Sequence, residues 1–235
     1  MNEDSISINK FVSSKGLCSR READKWIDAG RVTINGQRAK KGNRVVSGDE
    51  VVVDGEVLQN NPEPVYLALH KPIGITCTTD KKDKDNIIDF LAYPQRVFPV
   101  GRLDKASSGL ILITNDGDIV NKILRVEHNH EKEYIVKVNK AITEKFLKKM
   151  ANGVPILDTL TNKCQIEQLS NDTFNIVLTQ GLNRQIRRMC EYFDYEVLAL
   201  KRIRIMHILL GKMKVGQLRE LNKSELRQLK NITGQ

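Results

Sequence analysis

Hydrophobic positions along this chain fall into two segments with different grammar. In the first sixty residues the apolar positions are short and tightly punctuated. Ser7 sits where a cap belongs for a helix over Ile8 to Lys15, and Gly16 is placed to stop it. Ser19-Arg20-Arg21-Glu22 has the spacing of a capping box and opens a second helix through Ala23, Trp26 and Ile27 that ends at Gly30. Val32-Thr33-Ile34 then runs into Asn35-Gly36, a two-residue hairpin signal, and Gly48 to Gly55 reads as a strand closed by a tight turn. The pattern predicts a small α+β unit.

A stretch with two prolines, Gln59 to Pro64, breaks the pattern and predicts a linker, with domains over 1–60 and 65–235 and the linker at 61–64. Beyond it, strand-like runs occupy Val65–His70, Leu110–Thr114, Tyr134–Val138, Phe174–Thr179 and Val197–Ile203. Helical patterns interleave at Asn86–Ala92, Asp118–Leu124, Thr143–Met150 and Ile186–Tyr192. That order predicts an α+β domain on a mixed, largely antiparallel sheet. There is no internal repeat.

Composition narrows the class. The chain has 235 residues, 40% hydrophobic and 29% charged, which is ordinary for a globular protein able to bury a core. No run of 18 apolar residues exists, so a membrane span is not expected. Met1 to Ser5 lacks the basic-then-apolar order of a signal peptide, which points to the cytoplasm. Cys18, Cys77, Cys164 and Cys190 stand far apart, fitting free thiols in a reduced compartment. The net charge of +9 is concentrated: residues 10–44 hold ten Lys/Arg against three acids, and residues 184–235 hold twelve against five. Two basic regions suggest a polyanion held at two places, although a charge run by itself is also an ordinary solvated surface.

Three short strings carry candidate chemistry. Gly101-Arg102-Leu103-Asp104 precedes the apolar run Gly109 to Ile113, so a carboxylate sits on a loop held by a rigid strand. Taken alone, an Arg-x-Asp on a loop is usually a salt bridge or a turn. Lys132-Glu133-Tyr134 heads a strand, where a tyrosine can simply be core. In Gly181 to Met189, Asn183 is positioned to cap a helix carrying Arg184 and Arg187 on one face. His128 and His130 lack metal-spaced partners, and Asn115 to Asp118 lacks calcium-loop spacing and predicts a turn capping the next helix. No glycine-rich phosphate loop or dinucleotide fingerprint is present, so no cofactor is expected.

The order of the strings adds what none says alone. Ile8 to Phe11, Gly16 to Ala23 and Gly30 to Gly36 together resemble the S4 RNA-binding domain. Lys71-Pro72-Ile73-Gly74, then Gly101 to Asp104, Lys132 to Tyr134 and Gly181 to Met189 resemble the RNA pseudouridine synthases, in particular the RsuA/RluB/RluE/RluF branch with its leading S4 domain. Arg184 to Met189 and the stretch from Asn121 to Tyr134 are most similar to the RluF group, which acts on large-subunit (23S) ribosomal RNA. The resemblance implies detachment of uracil from ribose, rotation, and reattachment through C5.

It also implies roles. Asp104 matches the invariant carboxylate, Arg187 the basic residue set against it, and Tyr134 the tyrosine that stacks on the base. Arg102 matches the arginine that enters the space the base leaves. Leu103, Lys105, Arg184, Gln185 and Ile186 fall among RNA-contacting positions, Leu200 at the apolar pocket wall, and Arg20, Arg21 and Lys25 on phosphates. An Asp–Arg pair at ~4 Å and an effective dielectric of ~20 gains roughly 4 kcal/mol. That is comparable with the several kcal/mol cost of drying each ion, so Arg187 is placed to keep Asp104 charged. The branch's ribosomal RNA substrate is the expected partner, with transfer RNA open as a second, and likeness points to a monomer. The rival reading, a non-catalytic assembly factor, expects loss of the carboxylate or its arginine, whereas a nuclease expects clustered acids or paired histidines.

Overall fold

In a computed structural model describing residues 5–59, 61–124 and 129–234, the chain divides into two compact units. One contains the residues up to Pro64 with Pro94–Arg96; the other contains Val65–Tyr93 and the residues from Val97 onward.

The first unit is built by local signals. Its elements are β1 (Ile6–Ser7), α1 (Ile8–Ser14), α2 (Arg20–Asp28), β2 (Val32–Ile34), β3 (Gln37–Arg38), β4 (Arg44–Val45), β5 (Val51–Val53) and β6 (Glu56–Val57). Ser19 caps α2 as its spacing predicts, its hydroxyl accepting from the Glu22 amide at 3.1 Å. Ser7 does not do the same for α1. It precedes the helix, but its hydroxyl is engaged as a donor to Asn9 Oδ1 at 2.8 Å. Asn35 and Gly36 both take positive φ, as a turn matching strand twist requires, and join β2 to β3. A sheet ordered β3-β2-β5-β6 and the pair β1-β4 enclose Ile8, Val12, Ala23, Ile27, Val32 and Val51. Arg20, Arg21 and Lys25 stand exposed on α2, whose Ala23 and Ile27 are buried.

The second unit is a nine-stranded sheet with helices on its faces. Its elements are β7 (Tyr66–Lys71), α3 (Ile87–Leu91), β8 (Phe98–Val100), β9 (Ser108–Thr114), α4 (Gly117–Leu124), β10 (Lys132–Val138), α5 (Glu144–Ala151), β11 (Pro155–Ile156), β12 (Thr159–Leu160), β13 (Gln165–Ser170), β14 (Thr173–Leu178), α6 (Gln185–Glu191), β15 (Val197–Ile205), β16 (Ile208–Leu209), β17 (Leu218–Glu220) and α7 (Lys223–Thr233). The strand order is β13-β14-β10-β15-β9-β7-β17, with β16 on β15 and β8 on β9. Every pairing is antiparallel except β15 with β9, so the sheet is mixed and largely antiparallel as expected.

The interior strand β9 is apolar from Leu110 to Ile113 because both its faces are covered. Ile111 and Ile113 join one core with Phe146 and Met150 of α5 and Met189 of α6. Leu110 and Leu112 join a second with Ile119 and Ile123 of α4 and Leu229 of α7. Each such side chain, removed from water, contributes about 1.5–3 kcal/mol. Where β9 enters the sheet, Gly109 has φ +114° and its missing Cβ would lie 2.2 Å from the Arg202 carbonyl oxygen and 2.5 Å from its nitrogen. Only glycine lets β15 approach that closely.

Asp116 caps α4 through the amides of Asp118 and Ile119, as the turn reading predicts. The sequence reading did not include α7, whose capping box joins Asn222 and Glu225. Of the two histidines weighed for metal, His128 lies outside the described residues and His130 is buried. No cluster of potential metal ligands occurs among the described residues. The cysteines are unpaired thiols. No helix among the described residues is long and apolar enough to cross a membrane.

Candidate active site

A cleft of about 850 Å³ opens in the second unit, across the junction of β10, β15 and the loop entering β9. That loop is fixed by its backbone. Ser107 N–H donates to Asp104 O at 3.0 Å, Gly74 N–H to Lys105 O at 2.8 Å, and Leu103 N–H to Cys77 Sγ at 3.3 Å. The loop, held by these bonds, presents the Asp104 side chain to the cleft.

Opposite stands Arg187, in the first turn of α6. Its guanidinium is anchored by three acceptors: Val197 O at 3.1 Å, Ala106 O at 3.1 Å and Ser107 Oγ at 3.2 Å. Its Nε lies 3.5 Å from Asp104 Oδ2, an ion pair without hydrogen-bond alignment. The Arg187 side chain is 13% exposed and that of Asp104 is 30%, so the carboxylate is the open member of the pair. A fixed cation thus stands beside an accessible carboxylate oxygen in the cleft.

Tyr134 and Leu200 complete the walls. Tyr134 is 9% exposed on β10, directly across from Arg202 of β15, and Leu200 lies two residues along the same strand. The Arg202 guanidinium sits 5.9 Å from the centre of the Tyr134 ring, and its Nε donates to Leu110 O at 2.7 Å. At the end of β7, Lys71 is fully buried, its Nζ donating to Pro72 O at 2.7 Å and Ile75 O at 2.8 Å. Burial pulls the Lys71 amine below its usual value, opposed by the neighbouring Cys77 and Asp104. The Cys77 thiol is pushed up by the same burial.

The cleft unites Arg102, Leu103, Asp104, Lys105, Tyr134, Arg184, Gln185, Ile186, Arg187 and Leu200. Arg102 and Arg184 are exposed, and Lys105 is exposed and ion-paired with Asp85 at 2.8 Å. Leu103, Gln185 and Ile186 were expected among RNA contacts, but they are 7%, 5% and 5% exposed. Leu103 and Ile186 belong to the core, and the Gln185 amide is used internally on Leu182 N and Gln180. They wall the cleft rather than face solvent. Asn183 is not the cap expected for α6. Arg184 precedes that helix in the left-handed region, φ 51°, and the Asn183 side chain instead accepts from Arg188. Sequence reasoning missed Lys71 and Arg202 as site residues. Both are cations inside strands; Lys71 opened one of the strings that carry the family resemblance but was given no role, and Arg202 offered only a charge in an apolar run.

Comparison with known proteins gives this geometry its context. Residues 65–192 match the RNA pseudouridylate synthase family and residues 7–52 match the S4 domain. The dual-specificity RNA pseudouridine synthase RluF of Salmonella typhi is 51% identical over 228 residues, 96% of this chain and 79% of that protein. The RluF of Escherichia coli K12 is 51% identical over 95% of this chain and 78% of its own. The ribosomal large subunit pseudouridine synthase B of Bacillus subtilis is 34% identical over 96% of each. A crystal structure of a pseudouridylate synthase superposes with a TM-score of 0.71 at 28% identity, covering 95% of this chain and 99% of that one. The chain belongs to the RNA pseudouridylate synthases, carrying an S4 domain ahead of the synthase domain.

Proposed function

We propose that this enzyme converts a uridine of large-subunit (23S) ribosomal RNA to pseudouridine, with Asp104 as the catalytic carboxylate. The observation that carries the reading is the accessible Asp104 carboxylate 3.5 Å from an Arg187 guanidinium held by three other acceptors. In the reaction the C1′–N1 bond breaks, the base turns, a C1′–C5 bond forms, the C5 hydrogen leaves as a proton, and the freed N1 takes one up. The product is an isomer of the substrate, so the chemistry calls for no redox or group-donating cofactor. Tyr134 offers the base a stacking face, worth about 1–3 kcal/mol against the few kcal/mol of extruding it. Leu200 lines the pocket beside it, Arg102 fills the gap left in the RNA, and Arg184 and Lys105 hold flanking phosphates.

In the same reading residues 1–60 dock RNA through Arg20, Arg21 and Lys25, 61–64 link, and 65–235 catalyse. The protein works as a cytoplasmic monomer, with transfer RNA as a second candidate substrate. The test is tritium release from ribosomal RNA labelled at uridine C5, with Asp104→Asn alongside. Release that disappears in Asp104→Asn while RNA affinity is kept supports the assignment. Loss of binding in step with activity removes the catalytic role from Asp104. Tight binding without release from the wild type, on free RNA and on intact subunits, returns the non-catalytic reading.

A further inference from the structure

Among the described residues lining the cleft, Asp104 is the one acid, against six cations: Arg102, Lys105, Lys132, Arg184, Arg187 and Arg202. Most of those that are not at the open rim have their donors engaged by the protein. Lys132 donates to His130 O at 3.2 Å, and Arg187 reaches two carbonyls and a hydroxyl. Arg202 differs. It is 3% exposed, one nitrogen holds Leu110 O, and Nη2 is buried with no hydrogen-bond partner among the described residues. A buried guanidinium N–H without an acceptor is costly, so its retention in the lining of a cleft marks a place for a ligand acceptor.

We propose that Arg202 is a further catalytic residue, whose Nη2 donates a hydrogen bond to a carbonyl oxygen of the extruded uracil stacked on Tyr134. Depth decides between base and phosphate. Phosphates follow the sugar backbone along the rim, where Arg102 and Arg184 are exposed, while the flipped base is the part that reaches the floor. Chemistry points the same way. When the C1′–N1 bond breaks with its electron pair left on the base, negative charge spreads onto the ring carbonyls, and a preorganised cationic donor strengthens its bond there. The surplus of cations supports this: burial and nearby Arg202 both hold the Lys132 amine below its usual value, a field that an entering anion relieves. The close approach of Gly109 to the Arg202 backbone fixes the position from which the side chain reaches.

This inference rests on the ribosomal RNA reading above. Single-turnover tritium release from C5-labelled ribosomal RNA, RNA affinity and thermal midpoint are measured for wild type, Arg202→Met and Arg202→Lys. The expected result is a rate lower by about 10²-fold in Arg202→Met, from removal of a donor to developing charge. Arg202→Lys recovers part of the loss, and affinity stays within about threefold because binding to phosphates dominates it. Labelled transcripts with 2-thiouridine or 4-thiouridine add a readout that a merely structural role does not move. Sulfur is a poor acceptor, so one of the two slows the wild type but costs Arg202→Met nothing further. Equal sulfur effects in both proteins, an unchanged rate, or a rate loss that tracks melting and affinity in both variants overturns the proposal. If Arg202→Met fails to fold, Arg202→Lys, which keeps the buried cation, carries the sulfur comparison. No release from the wild type fells the ribosomal RNA reading, and this inference with it.

Discussion

The two members of the Asp104–Arg187 pair are held so differently that their replacement separates stability from chemistry. Arg187→Met removes donors from Val197 O, Ala106 O and Ser107 Oγ, and leaves Asp104 without its cation. Taking about 1 kcal/mol for each lost hydrogen bond gives about 3 kcal/mol. The ion pair lies between the 0–1 kcal/mol of an exposed pair and the 3–5 kcal/mol of a broken buried one. With Asp104 30% exposed it belongs near the lower bound, about 1 kcal/mol. The sum, about 4 kcal/mol, at roughly 2–4 °C per kcal/mol for a unit of this size, lowers the melting midpoint by about 8–16 °C. Asp104→Asn keeps its volume, and Arg187 keeps its three acceptors, so the midpoint moves by less than about 4 °C. Both variants lose turnover in the tritium assay. Calorimetry or circular dichroism melting reads the difference. Equal destabilisation by the two substitutions, or a larger fall for Asp104→Asn, would refute the reasoning, because the carboxylate would then be holding the structure rather than serving the reaction.

Gly109→Ala places a Cβ against the Arg202 backbone at a φ of +114°, so we expect more than about 3 kcal/mol of destabilisation or loss of soluble protein, seen by melting and expression. A near-neutral result would contradict the described packing of β9 on β15. Replacing Arg20, Arg21 and Lys25 together with Ala should weaken ribosomal RNA binding and reduce the log–log salt slope by ~0.7 for each phosphate no longer neutralised; an unchanged slope removes the docking role from α2. Hydrogen bonds from Arg204 to Glu133 and from Arg219 to Glu225 hold both carboxyls below the usual 4.5. Their stabilisation is complete above about pH 5 and is lost as pH falls through the lowered folded values. Melting against pH should therefore drop on the acid side of 4.5, and the drop should shrink in Glu133→Gln combined with Glu225→Gln. A double variant with the wild-type acid profile would refute this.

What the sequence disclosed follows the range of the interactions involved. The first unit was legible because its signals are local: Ser19 and Glu22 are three apart, and Asn35-Gly36 is itself the turn. The apolar run Leu110–Ile113 of β9 was legible because its alternate residues are buried in two different cores. Helix α7 carried its own capping box but few apolar positions, with Leu229 and Thr233 as its buried residues, so periodicity did not reveal it. The helix at Gln185 was expected with the wrong cap, since no rule of spacing anticipates an arginine in the left-handed region. Asp104, Arg187, Tyr134 and Leu200 were singled out by resemblance to a family; their convergence on one cleft is a property of the fold. Lys71 and Arg202 escaped because a cation in a strand looks like an exposed edge until its neighbours are known.

The one parallel seam in the sheet has a consequence for when the enzyme comes into being. Strand β15 supplies Leu200 and Arg202, flanks β10 along its length, and donates the hydrogen bond that ties Arg202 to Leu110, 92 positions earlier. A growing chain can complete the first unit and the β7–β9 pairing long before that strand is made. Closing so long a loop is slow, and nothing local substitutes for it. A nascent chain on the ribosome can thus fold its RNA-docking portion while its cleft still lacks a wall. Competence to modify RNA arrives only once residues 197–205 have been made.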